Sequence, residues 1–158
     1  MSRAAHVAHV VAIALWVGGL VALAAVAAPV IFRTAGSRHL AGTVFGGVLR
    51  TFAWVEIALA VVALAGFALA RPSGRLDWIR GACLAAMIAL LAGYAFGVHP
   101  ALARVRPDCG SFDRDAATDA EREARGRFDD LHRWSERLVG ANILVGLALL
   151  ALGAARRS

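Results

Sequence analysis

Apolar and polar residues fall along this chain in long blocks rather than short alternations. Residues 4–32, AAHVAHVVAIALWVGGLVALAAVAAPVIF, contain no Asp, Glu, Lys or Arg. At 29 residues, this block is well beyond the roughly 20 that a helix needs to cross a bilayer. A Gly36-Ser37-Arg38 turn closes it. The second block is fully apolar from Thr51 to Ala70 except for Glu56, and it stops at Arg71-Pro72-Ser73-Gly74. The third runs from Leu76 towards His99-Pro100, where the residue before proline disfavours helix. A mixed-charge stretch then leads, without Gly-Pro punctuation, into a last apolar run closed by Arg156-Arg157. The pattern predicts an all-α, four-span transmembrane helix bundle, a single domain over residues 1–158, with spans at about 4–32, 38–70, 76–103 and 118–155. The fourth helix is extended: Thr118 or Asp119 caps it outside the membrane, and it runs on through Gly126 into the bilayer.

Composition supports the membrane reading. Of 158 residues 59% are hydrophobic, and the mean hydropathy is +0.66, too high for an ordinary soluble domain. The formal charge of +6 comes wholly from arginine, since the chain has no lysine. These arginines flank apolar runs and form no aromatic-basic surface, so they speak for membrane topology and against a nucleic-acid partner. The first block imitates a signal peptide, but it is too long for an h-region and is read as a span. Four spans put both ends on one side. The arginines of the 71–80 connection and Arg156-Arg157 then favour cytoplasmic termini in a bacterial inner membrane.

Ionisable groups inside a bilayer are functional candidates by default. His9 and Trp16, seven residues apart, share one face of the first helix. His9 is a candidate cofactor ligand, for haem b or for copper together with Cys83. Depth counting assigns His39, Arg50, Glu56, His99, His132, Arg133 and Glu136 to a layer at the opposite membrane edge. There His39, His99 and His132 are candidate metal ligands. Arg50, Glu56, Arg133, Ser135, Glu136 and Trp16 are candidate pocket or structural polar residues, with Glu56 expected to pair with Arg50 or Arg133. Because helices 1 and 4 enter from opposite faces, His9 and His132 are expected to lie far apart. No spacing defines a nucleophile with a base and an orienting group, so the expected role is non-enzymatic: an accessory or small-ligand-binding protein in the lipid bilayer. A haem- or copper-handling protein and a small oligomeric transporter are the alternatives. The pairs Gly42/Gly46 and Gly93/Gly97 would serve homo-oligomer contacts.

Three short motifs carry a resemblance. The pattern H-x6-W-x-G-G at His9–Gly19, APVIF and then RHLAG, together with His99-Pro100 and the run Arg127-Phe128…Leu131-His132-x-x-Ser135, resembles a bacterial family of unknown function related to a eukaryotic membrane protein named for cisplatin resistance. The resemblance implies a four-span bundle and no agreed chemistry. Two positions depart from the family pattern: VLRTFAW replaces an aromatic-proline-tyrosine step in helix 2, and Val139 stands where some relatives have asparagine. The first helix alone is similar to that of copper-resistance protein D and of the haem-binding protoporphyrinogen oxidase HemJ.

Overall fold

A computed structural model of the chain describes residues 3–70 and 73–154. Four helices are long and apolar enough to cross a membrane: α1 Arg3–Thr34, α2 Arg38–Leu69, α3 Arg75–Cys109 and α4 Asp119–Ala154. No strand occurs among the described residues. The protein is an all-α, multi-pass membrane bundle with an extended fourth helix. Helix α1 packs on α2 and α4, and α3 packs on α4 and α2. We call the end where α1 begins and α4 finishes the near end, and the opposite end the far end.

The core follows from the sequence of α1. Ala5, His9, Ala12, Ile13, Trp16, Val17 and Leu20 are buried, which is the three- and four-residue spacing of one helical face. Leu84, Met87, Leu91 and Tyr94 of α3, Ala60 and Ala63 of α2 and Leu149 of α4 close over it. Most other apolar side chains point outward, as lipid-facing residues do; Leu15, Val61, Phe96 and Leu144 are examples. At the α1–α2 crossing a side chain on Gly66 would lie 2.8 Å from the Ala5 carbonyl oxygen. Only glycine permits two backbones to come this close.

Two helices widen into a π turn just before a proline. In α1 the π segment is Leu23–Ala27, ahead of Pro29, and Ala28 N–H reaches back to the Leu23 carbonyl. In α3 it is Gly93–Val98, ahead of Pro100, and His99 N–H reaches the Tyr94 carbonyl. Proline lacks an N–H and collides with the carbonyl four residues earlier. Lengthening the turn removes the collision and keeps the helix continuous. This is why α3 carries on past His99-Pro100 and past the predicted end at Ala103, as far as Cys109.

The far-end connection between α3 and α4 is tightly organised. Phe112 lies under the guanidinium groups of Arg106 and Arg125, 5.6 and 5.5 Å from its centroid. Arg125 donates to the carbonyls of Cys109, Ser111 and Arg114 at 3.0, 2.6 and 3.0 Å. Thr118 Oγ1 accepts from Glu121 N–H at 3.1 Å, making Thr118 the cap of α4. The helix then runs unbroken through Gly126. Arg125→Ala should release three carbonyls at once. Tryptic cleavage within 110–118, measured on protein in vesicles with this face accessible, should then accelerate several-fold. An unchanged rate would mean that Arg125 does not hold the connection.

Asp113 ties this connection to α2. Its Oδ1 accepts the N–H groups of Arg38 and His39 at 2.7 and 3.2 Å, at the start of that helix. Its carboxyl is held below the ordinary carboxylate range. Desolvation by the surrounding chain pushes it upward, but the His39 N–H, the Ser37 side chain, the Arg38 N–H and the His39 charge together outweigh that. With a depressed folded value, the contact contributes fully above the ordinary carboxylate range and is lost only as pH falls through the folded value. Amide exchange at Arg38 and His39, corrected for its intrinsic pH dependence, should therefore keep its protection through mildly acid conditions. Loss of protection already at about pH 6 would contradict this.

Candidate functional site

Polar side chains cluster at two levels inside the bundle. At the first, Glu56 of α2 is 1% exposed and faces α1 and α3. Trp16 Nε1–H donates to its Oε1 at 2.6 Å. The Tyr94 hydroxyl donates to the same oxygen. The π turn of α3 contains Tyr94, so the irregularity before Pro100 lies where the hydroxyl meets the carboxyl group. A carboxyl held by an indole and a phenol ties three helices together without a second charge. The expected partner of Glu56, Arg50 or Arg133, is thereby corrected. Arg50 is exposed, and Arg133 pairs with Asp130 on its own helix. Glu56 belongs to the core rather than to the far-edge layer. Asn142, fully buried, adds a tie between α4 and α3 by donating to the Met87 carbonyl at 3.1 Å.

The second level lies nearer the near end. His9 is 2% exposed, and its Nδ1 lies 2.8 Å from the Ala63 carbonyl oxygen. A carbonyl only accepts, so Nδ1 carries the proton and Nε2 presents the lone pair of the neutral ring. Nε2 has no hydrogen-bond partner among the described residues. Arg80 of α3 is 4% exposed. Its Nη1 pairs with Asp77 at 3.4 Å, while its Nε has no partner among the described residues. His6, His9, Val10 and Ile13 of α1, Arg80, and Leu149, Leu150, Gly153 and Ala154 of α4 line a cavity of about 210 Å³. It has a cationic side and an apolar wall. In the sequence Arg80 reads only as a topology marker; the sign of a further role is that it stands one turn after Asp77 at the head of an apolar run.

The far-end histidines each meet a different ring. His39 stacks on Phe112 at 6.2 Å. The His99 ring lies 5.6 Å from that of Tyr94. His132 is exposed, stacks on Phe128 at 6.1 Å and has Nε2 3.3 Å from Glu136. Among the described residues no three His, Cys, Asp or Glu side chains are grouped so as to hold a metal ion. Ser135 is buried, and Cys83 is half-buried against the core. Gly153 lines the His9 cavity while His132 lies on the same unbroken helix six turns earlier. At 1.5 Å per residue that is roughly 30 Å of helix, so His9 and His132 sit towards opposite ends. Of the small-residue pairs, Gly42 faces the Arg106 guanidinium and Gly93 faces Leu138, both within the chain, while Gly46 and Gly97 have open space before them.

Residues 11–110 match the family described as domain of unknown function DUF4149. The chain is a DUF4149 protein. No match was found among curated proteins or among solved structures. In this DUF4149 protein the matched stretch contains Trp16, Glu56, Tyr94 and Arg80, whereas His9 and all of α4 lie outside it. The Glu56 cluster is thus wholly within the family region. The cavity is assembled from that region and from residues flanking it.

Proposed function

We propose that this DUF4149 protein is a non-enzymatic membrane protein that binds a small ligand, and that the ligand sits in the cavity at the near end of the bundle. One observation carries the reading: two deeply buried side chains lining one cavity, His9 and Arg80, each keep a polar atom without a partner among the described residues. An orphaned buried polar group is costly, and a ligand that met both would remove that cost. The seat therefore differs from the far-edge layer that the sequence suggested: His39 Nδ1 and His99 Nε2 also lack a hydrogen-bond partner among the described residues, but they belong to half-buried side chains set against two different rings. In the same reading the protein lies in a bacterial inner membrane with the near end cytoplasmic, because the sequence adjoining that end holds the arginines of the 71–80 connection and Arg156-Arg157, of which Arg71, Arg156 and Arg157 lie outside the described residues. A reporter fused to the C-terminus and active only in the periplasm would refute this orientation.

Native mass spectrometry of the protein extracted in mild detergent tests the binding reading. A retained small molecule is expected in the wild type and absent from Gly153→Leu, whose side chain fills the cavity. Retention unaffected by that substitution would place the ligand elsewhere and refute the proposal.

A second reading draws on the same histidine. A ring fixed through Nδ1 to a backbone carbonyl, with Nε2 free, is the usual preparation of a metal-ligating imidazole. Haem or copper bound through His9 would give an absorption spectrum or a metal content that His9→Ala abolishes.

A further inference from the structure

We infer that the near-end cavity recognises a phosphate monoester group. The inference rests on the proposal that this cavity is a ligand seat, and adds the chemistry of what fills it. Asp77 engages Nη1 of Arg80, so it leaves the opposite edge of the guanidinium, Nε with Nη2, for another acceptor. Nε has no partner among the described residues. A side chain on Gly153 would lie 3.9 Å from Nη2, so this edge faces the α4 side of the cavity. Two parallel N–H groups match two oxygens of an oxyanion. His9, which lines the same cavity, has an unpartnered Nε2, whose lone pair accepts a proton from an acidic hydroxyl, or which donates once it has taken that proton. Either way one proton is shared between His9 and a third ligand atom. A carboxylate held on both oxygens by the guanidinium edge could meet His9 only by sharing one of those oxygens. A phosphate monoester has three non-ester oxygens, enough for Arg80 and His9 together, and its second ionisation lies close to that of imidazole. Val10, Ile13, Leu149 and Leu150 supply an apolar wall for whatever the phosphate is attached to. A lipid with a terminal phosphate and free inorganic phosphate share the recognised group; only the lipid uses the wall.

The test is binding to the full-length protein in nanodiscs of phosphatidylcholine, with short-chain phosphatidic acid, inorganic phosphate or decanoic acid added. Phosphatidic acid should bind saturably. Arg80→Lys keeps the charge but removes the fork, and should weaken binding by about tenfold or more. Since Arg80 and Asp77 contribute to the fold, Gly153→Leu is the second variant: it leaves the pair in place and should also abolish binding. Inorganic phosphate binding as tightly as phosphatidic acid, with the same sensitivity to both variants, supports the phosphate site and assigns the free ion as its source. Decanoic acid binding as tightly as phosphatidic acid, and lost in Gly153→Leu, would overturn the phosphate assignment and leave the ligand cavity standing. Saturable binding by none of the three, together with no retained molecule in native mass spectrometry, would overturn both.

Discussion

Glu56→Ala should be the most damaging single polar substitution in the bundle. It removes the acceptor shared by Trp16 and Tyr94 and leaves two buried donors, on two different helices, with nothing to meet. An unsatisfied buried donor costs on the order of 1–3 kcal/mol, so a loss of about 2–5 kcal/mol is expected, together with the void of the missing side chain. Glu56→Gln keeps an acceptor oxygen at nearly the same place and should lose much less. The measurement is the unfolding temperature in mild detergent, followed through tryptophan emission, since Trp16 itself reports on the cluster. Equal losses for the two variants would show that the charge or proton of the carboxyl group, rather than its acceptor oxygen, is what the fold depends on.

Gly66→Leu should act on the backbone rather than on a hydrogen bond. The first side-chain carbon would already lie 2.8 Å from the Ala5 carbonyl oxygen and 3.0 Å from the His9 backbone nitrogen. Neither atom is the end of a flexible side chain, so α1 must move off α2. That separates His9 from the Ala63 carbonyl one turn away and displaces the α1 wall of the cavity. Overpacking of this kind costs on the order of 1–3 kcal/mol, and more where backbone is displaced. Gly66→Leu should therefore lower the unfolding temperature and abolish ligand retention together, while Gly46→Leu, which faces open space, should do neither within the chain. Wild-type stability of Gly66→Leu would show that the helices are less closely crossed than described.

The architecture was legible because it rests on one strong signal. Uncharged blocks longer than a bilayer is thick have few ways to fold, and the turns between them are marked by Gly36, Gly74 and the polar stretch before α4. The polar core was harder to read. Glu56 was given an arginine partner because opposite charges are the usual way to settle an acid in a membrane. An indole and a phenol do the same work without a charge, and nothing in the spacing of Trp16, Glu56 and Tyr94 along three helices announces it. Tyr94, the only tyrosine in the chain, carries no local sign of its role. His9 stands out in the sequence as a polar group within an apolar run, but Arg80, which lines the same cavity, does not. Arg80 is far from His9 in sequence and reads there as a flanking charge. The order of the 110–118 connection was equally hidden, since it depends on Arg106 and Arg125 closing on Phe112 from two different helices.

The π turns of α1 and α3 have a bearing on how this chain tolerates changes of length. A π turn holds one residue more than an α turn, so each of these helices behaves as an α-helix with a single residue spliced in. The halves on either side are therefore out of phase, and each half follows its own neighbours. In α3 the stretch before Gly93 packs on α4 and α2 and brings Arg80 to the cavity, and the stretch after Val98 packs on α4 and sends Arg106 across to α2. Deleting one residue between 93 and 98 would return the turn to α geometry and bring back the collision with Pro100. It would also swing everything beyond by about 100° around the axis, turning Arg106 away from the His39 carbonyl and Thr43 that it now bridges. The extra residue is thus a phase adjuster: the same chain without it would still span the membrane, but its two ends would no longer fit the same partners.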